Sequence, residues 1–419
     1  MYDKTTLDNG LRIVTATLPH TRSVSINFFI GAGSRYETDD VAGISHFVEH
    51  MLFKGTERRP TPREIAETIE GVGGIMNAGT DRELTVYWCK VPSAHFVRTF
   101  DVLSDNLRHS RFEPKEIEKE RAVIIEELHM VEDNPSDLVG VLIDEVLWPN
   151  QPLGRDIAGS DETVKGIERQ HMLDYMGRQY VPANTVLGVA GNVTHEEVVK
   201  EAERLLGDWD NTVFGAWFPA KDGQTTPRVA LKTKKTEQVH FCLAVPGLSA
   251  YHPDRYTLDV LNSILGEGMS SRLFLEVREK RGLAYDVHSY VSHFQDTGAA
   301  VISAGVDPKK LAPTIEAILD ELERLKENIP EKEATKSREF IKGRLQLRVE
   351  DTRAVASWLG GQELLRKNIL TIDDVVRIVD GVDVENMQRV AREVFRRDRM
   401  NLAVVGPQRS AERLETLLK

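Results

Sequence analysis

Two stretches of this chain recur at one fixed spacing, which constrains the fold more than any single motif. The segment "SVSINFFIGAGS" (23–34) returns in type as "QVHFCLAVPGLS" (238–249). Likewise "VLGVAGNVTHEEVVKEAERLL" (186–206) returns as "NLAVVGPQRSAERLETLL" (401–418). Val24 to Val239 and Gly191 to Gly406 are both separations of 215 residues. A repeat this long, with the same order of strands and helices, implies a duplicated domain and not a solenoid of short units. The expected architecture is two homologous halves, each with strands and helices in the same order. The expected boundaries are 1–207, a turn-rich linker at 208–227, and 228–419.

Length agrees, because 419 residues exceed what one ordinary core encloses. Within the first half, a strand at 23–35 enters a Gly turn, and a helix follows through residue 54. A second helix covers 61–73, "LTVYWCKV" is a buried strand, and two helices run from about 95 to 148. Cys89 and Cys242 lie in apolar, strand-like runs and read as buried thiols, not as a disulfide or metal pair. A formal charge of −12 argues against an electrostatic grip on nucleic acid. No apolar run reaches the ~18 residues of a membrane span, and no secretory leader is visible, so the expected location is cytoplasmic.

The stretch "ISHFVEHMLFKGT" (44–56) breaks the polar monotony of an ordinary helix face. On a helical wheel Val41, Ile44, Val48, Met51 and Leu52 form one stripe, while His46, Glu49, His50 and Phe53 gather on the other side. Histidines four apart are neighbours on a helix, so both imidazoles can approach one cation. Glu49, set between them, can take a proton from a water held there. The repeat provides a control: 215 residues later stand Leu261 and Leu265. The fold therefore does not require histidine at these positions.

A catalytic zinc takes a third protein ligand and leaves a position open. In "PKEIEKERAVIIEELHMVEDNP" the buried stripe is Ile117, Ile124, Leu128 and Val131. Glu127 flanks that stripe, whereas Glu126 points away from it. Glu120, seven residues before Glu127, lies on the same side and can support a ligand from behind.

These segments, with "GGIMNAGTDRELTVYW", "ERAVIIEEL", "PLGRDIAG" (152–159) and "SSRLFLEVREKRGLAYDVHSY", occur in the order found in the pitrilysin-type (inverzincin) zinc metallopeptidases. The chain resembles that family along nearly its whole length, most of all the bacterial relatives of the mitochondrial processing peptidase β-subunit. The resemblance implies an α+β pitrilysin-like metallohydrolase fold, with two homologous α/β-sandwich halves, each a mostly antiparallel sheet covered by helices. It implies one Zn2+ per chain, bound by His46, His50 and Glu127, with Glu49 as general base and Glu120 behind the ligands. It implies that a peptide adds as a strand along Asn77, Ala78, Gly79 and Thr80, and that Phe53 lines the pocket for the residue after the scissile bond. It implies that Arg278 and Tyr285 steady the oxyanion. The Gly-rich loop of the mitochondrial enzyme is missing, and both parts of the site lie on one chain, so a homodimer enclosing a chamber is the expected assembly. Peptides or unfolded segments are the expected substrates, basic ones favoured by the acidic balance. The rival expectation is a non-catalytic peptide-binding or scaffold relative of the same fold.

Overall fold

The computed structural model describes residues 2–418, which divide into two compact units. The first contains residues up to 128, 156–218 and 347–371; the second contains 129–155, 219–346 and 372 onward. No helix among the described residues is long and apolar enough to cross a membrane.

The first unit is built on a six-stranded sheet. In chain order its strands are β1 (Asp3–Thr6), β2 (Arg12–Thr17), β3 (Ser23–Ile30), β4 (Ile75–Thr80), β5 (Thr85–Pro92) and β6 (Thr185–Gly191). Their order across the sheet is β1-β2-β6-β3-β5-β4, with only the β2–β6 pair parallel. On β3, Val24, Ile26, Phe28 and Ile30 face the larger core, under helices Ile44–Met51, Phe96–His109 and His195–Leu206. Phe29 faces the other way, into a smaller cluster with Val14, Val186, Ala356 and Leu359. A sheet covered on both faces needs apolar residues at successive positions, which is why "INFFI" does not alternate.

The second unit repeats this plan with β7 (Arg228–Thr233), β8 (Val239–Pro246), β9 (Ala284–His293), β10 (Gly298–Val306) and β11 (Asn401–Gly406). The order β7-β11-β8-β10-β9 matches β2-β6-β3-β5-β4, including the single parallel pair. The 215-residue offset thus carries β3 onto β8 and the last residue of β6 onto the last residue of β11. Cys89 and Cys242 are buried free thiols.

The expected halves need one correction, because two segments change sides. Residues 129–155 fold with the second unit and residues 347–371 with the first. Helix Thr352–Arg366 covers the second face of the first sheet, and helix Pro135–Leu147 covers the corresponding face of the second. The exchange is visible atom by atom at Gly360, where a Cβ would stand 2.3 Å from the ring of Phe29. Within the first unit, Thr352 Oγ1 lies 3.0 Å from Ser25 Oγ, and Asn27 donates to Ser357 Oγ at 3.0 Å. A cut at the linker overlooks this because the linker is where regular structure lapses, not where packing changes partner.

Three helices, not two, occupy 96–147, since Pro114 and Pro135 each open a new one. Proline is tolerated in the first turn, where its missing N–H would have no partner.

Candidate metal centre

The helix bearing the histidines is shorter than its sequence suggests. It spans Ile44–Met51, preceded by short turns at Ser34–Tyr36 and Asp39–Val41. Gly43 stops its extension backwards, with φ of 93°, in the left-handed region that disfavours side chains. A Cβ on Gly43 would also sit 2.4 Å from the carbonyl oxygen of Ala158. Gly159, at φ 81°, reciprocates against the carbonyl oxygen of Ala42, which explains why "VAGIS" and "DIAGS" carry glycine at their contact. The free N–H groups of the first turn are met by a buried carboxylate. Gly43 N–H donates to Glu37 Oε2 at 2.8 Å and Ser45 N–H to Glu37 Oε1 at 2.9 Å. An acid at a helix start is favourable both as a hydrogen-bond acceptor and toward the helix dipole.

Ile44, Phe47, Val48 and Met51 are buried, each contributing about 1.5–3 kcal/mol by removal from water. His46, Glu49 and His50 are turned away from that stripe and are half-buried. Glu127, on helix Pro114–Asp133, is half-buried as well, whereas its neighbour Glu126 is exposed.

His46, His50 and Glu127 form the one group among the described residues with a ligand set for a metal ion. The two Nε2 atoms are 3.2 Å apart, and Glu127 Oε2 lies 3.8 Å from that of His46 and 3.7 Å from that of His50. Donors about 2.1 Å from a tetrahedral zinc would be separated by about 3.4 Å, so two imidazoles and a carboxylate fit that ion in type and spacing. Burial, then the neighbouring His50, lowers the pKa of His46 to about 4, which keeps it neutral and ligand-competent near pH 7. Its Nδ1 is buried without a hydrogen-bond partner.

Behind the ligands, Glu120 Oε2 accepts from His50 Nδ1 at 3.1 Å, and Lys54 Nζ lies 2.6 Å from Glu120 Oε1. Glu49 Oε2 accepts from the Thr80 hydroxyl at 2.6 Å. Burial raises the Glu49 pKa above the usual carboxylate range, opposed by the Thr80 hydrogen bond and by His50. A carboxyl so placed can accept a proton and return it.

Asn77, Ala78, Gly79 and Thr80 lie on β4, which ends the sheet and pairs only with β5. Phe53 lines a cavity of about 400 Å³ together with Lys54, Ile65, Ile69, Glu70 and Met76. Arg278 and Tyr285 belong to the second unit, where they meet each other. The guanidinium carbon of Arg278 lies 4.8 Å from the Tyr285 ring centroid and 4.7 Å from that of Phe274. Arg278 sits on a π-helical turn, Phe274–Lys280, and Tyr285, 78% exposed, stands on the edge strand β9. At the positions 215 residues beyond His46, His50 and Glu127, the second unit has Leu261, Leu265 and Lys342.

Sequence reasoning missed Glu37, Lys54 and the buried pair Arg35–Glu83. Arg35 Nη1 bonds Glu83 Oε1 at 2.5 Å, and its Nη2 donates to the linker carbonyl of Phe218 at 2.9 Å. Glu83 lies within "DRELT", between the charged Asp81 and Arg82 on one side and an apolar strand on the other, so nothing in the sequence singles it out from its neighbours.

Comparison with known proteins gives a consistent picture. Residues 12–161 match the family model described as Insulinase (Peptidase family M16), and residues 166–340 match that described as Peptidase M16 inactive domain. The chain is 39% identical to YmxG, an uncharacterized zinc protease of Bacillus subtilis (strain 168), over 97% of this chain and 98% of that protein. It is 36% identical to the uncharacterized zinc protease SCO5738 of Streptomyces coelicolor, over 96% and 89%. A solved protease from Helicobacter pylori shares the fold with a TM-score of 0.91 at 23% identity, covering 97% and 99%. A chain of complex III2 from Candida albicans shares it at 0.85 and 20%, covering 99% of each.

Proposed function

The chain belongs to the insulinase family, peptidase family M16, and from that premise we propose that it is a zinc-dependent endopeptidase acting on peptides or unfolded segments. The observation that carries this reading is the grouping of His46, His50 and Glu127, whose donor atoms lie 3.2–3.8 Å apart, with the helix carrying Glu49 among them. Three protein donors and a neighbouring base are what a catalytic site requires, whereas structural zinc usually takes four protein ligands. The relatives named as zinc proteases support the same reading.

One ion per chain would be held by His46, His50 and Glu127, and the chemistry it would supply is Lewis acidity toward the peptide carbonyl and the attacking water. Glu49 takes the proton of that water and later delivers it to the leaving amine. Glu120, fixed by Lys54, holds the His50 ring in the tautomer that leaves Nε2 free. Asn77, Ala78, Gly79 and Thr80 receive the substrate as an added strand, where backbone hydrogen bonds give affinity largely independent of sequence. The Phe53 cavity takes the side chain after the scissile bond. Arg278 and Tyr285 stabilise the oxyanion, a role that rests on the family resemblance. Two copies enclosing a chamber would restrict entry to unfolded chains, and basic peptides suit the net charge of −12.

The test compares wild type with Glu49→Gln, measuring bound zinc and cleavage of an unstructured basic peptide on the same samples. The expected result is equal zinc in both and cleavage by wild type alone. If both bind zinc and neither cleaves any of a broad peptide panel, the chain is a peptide-binding or scaffold relative. The fold shared with a chain of complex III2 makes that second reading specific.

A further inference from the structure

Thr80 occupies two places at once. Its main chain is the last residue of β4, opposite Thr85 of β5, on the strand that ends the sheet. Its side chain turns to the metal helix, where the hydroxyl donates to Glu49 Oε2 at 2.6 Å. A hydroxyl has one proton to give, so this bond commits it. The oxygen behind it is held in place by buried neighbours. Thr85 Oγ1 lies 3.4 Å away and donates the stronger of its contacts to the Ala32 carbonyl at 3.0 Å. Nearby, the Tyr180 hydroxyl meets that of Tyr87 at 2.9 Å, and both phenols are buried. Threonine is also stiff about χ1, so few other orientations of this hydroxyl are open.

Glu49 has the opposite character, a side chain with three torsions to restrain and a task that depends on aim. Of its two carboxylate oxygens one is bonded to Thr80, which leaves the other for a water proton.

We propose that Thr80 is a positioning residue that fixes the aim of the Glu49 carboxylate and ties it to the register of a peptide bound along β4. This role rests on the peptidase reading, since it concerns the base of that reaction. A peptide added to the β4 edge is indexed by the main chain of Asn77–Thr80, and the hydroxyl of the last of these residues indexes the base. The base and the scissile bond are then located from the same residue. Errors of about 1 Å in such a relationship cost roughly a hundredfold in rate, so the hydroxyl belongs to the rate of the chemical step and not to affinity.

The experiment uses the zinc-loaded full chain and two substitutions. Thr80→Val keeps the branched shape that suits a strand and removes the hydroxyl, while Thr80→Ser keeps the hydroxyl. For Thr80→Val the expected result is a fall in kcat of at least tenfold with KM within twofold of wild type. Thr80→Ser is expected to return kcat to within threefold. Zinc content and Tm should match wild type in both variants. A further readout does not depend on turnover: the Kd of a fluorescent unstructured peptide, measured on a Glu49→Gln background, should be the same with and without Thr80→Val. The role is overturned if Thr80→Val keeps kcat within threefold, if Thr80→Ser is as impaired as Thr80→Val, or if the loss appears in KM and Kd with kcat unchanged. In those cases wild type still cleaves and the peptidase reading survives. A wild type that holds zinc and cleaves nothing overturns that reading, and this role with it.

Discussion

His50 Nδ1 lies 3.1 Å from Glu120 Oε2, so the ring donates its far proton to a buried carboxylate and presents Nε2 to the ligand group. The other oxygen of Glu120 is 2.6 Å from Lys54 Nζ, so the acid that orients the histidine is itself oriented. A lysine, a glutamate and a histidine from two helices and the turn after one of them thus act in series on one ring.

Breaking this series should weaken metal binding without removing a ligand. Outer carboxylates on ligating histidines typically contribute 10–100-fold in affinity. Glu120→Ala is expected to weaken zinc by at least tenfold in competition with a chromophoric chelator, and Lys54→Met by a smaller factor. Affinity unchanged in both would show that the ring is held by packing alone.

The Glu37 carboxylate should matter to stability more than its distance from the ligands suggests. It is 1% exposed and accepts from the N–H groups of both Gly43 and Ser45. Removing it leaves buried donors without an acceptor, at about 1–3 kcal/mol. Glu37→Ala is expected to lower unfolding free energy by that amount in urea titration, and Gly43→Ala to do so too, through strain at φ 93° and the approach of Ala158. Wild-type midpoints in both variants would contradict this account of how the helix starts.

Much of this was legible beforehand, for physical reasons that differ by residue. His46, His50 and Glu127 stand on the polar flanks of amphipathic helices, and helical periodicity converts spacing into a face. The duplicated sheet was legible because strands buried on both faces carry a dense apolar signal. Three features lay beyond that logic. The early limit of the metal helix is set by Gly43 against Ala158, a contact between segments more than a hundred residues apart. The exchange of helices Pro135–Leu147 and Thr352–Arg366 between units leaves no trace in periodicity, since an apolar stripe does not name its partner. Thr80 could be placed on an edge strand by resemblance, but only the folded structure shows its hydroxyl turned to Glu49.

Metal removal should be felt by the first unit. A ligand that binds only the folded state stabilises by about 2.7 kcal/mol at a free concentration one hundred times its Kd. Adding a strong chelator to the zinc-loaded protein is therefore expected to lower Tm, and resupplying zinc to restore it. Glu127→Ala, lacking one donor, should show a much smaller response to either treatment. An equal response in wild type and Glu127→Ala would mean that the stabilising zinc sits elsewhere.

In the second unit, His293 should make stability depend on pH. Its Nδ1 faces the Leu248 carbonyl at 2.6 Å and its Nε2 faces Asp259 Oδ1 at 3.1 Å, so both ring nitrogens meet acceptors. Burial alone would depress its pKa, but the Asp259 hydrogen bond and charge and the Leu248 carbonyl outweigh burial and the opposing Arg255, leaving it raised. A group whose pKa is raised on folding binds its proton more tightly in the folded state. The resulting stabilisation is complete below the unfolded value of about 6.5 and fades as pH rises through the folded value. The difference in unfolding free energy between wild type and His293→Gln should therefore be largest below pH ~6.5 and shrink steadily as pH rises above it. Urea titrations of the two proteins from below to well above that pH measure it, and a difference that stays flat with pH would show that folding leaves the proton affinity of His293 unchanged.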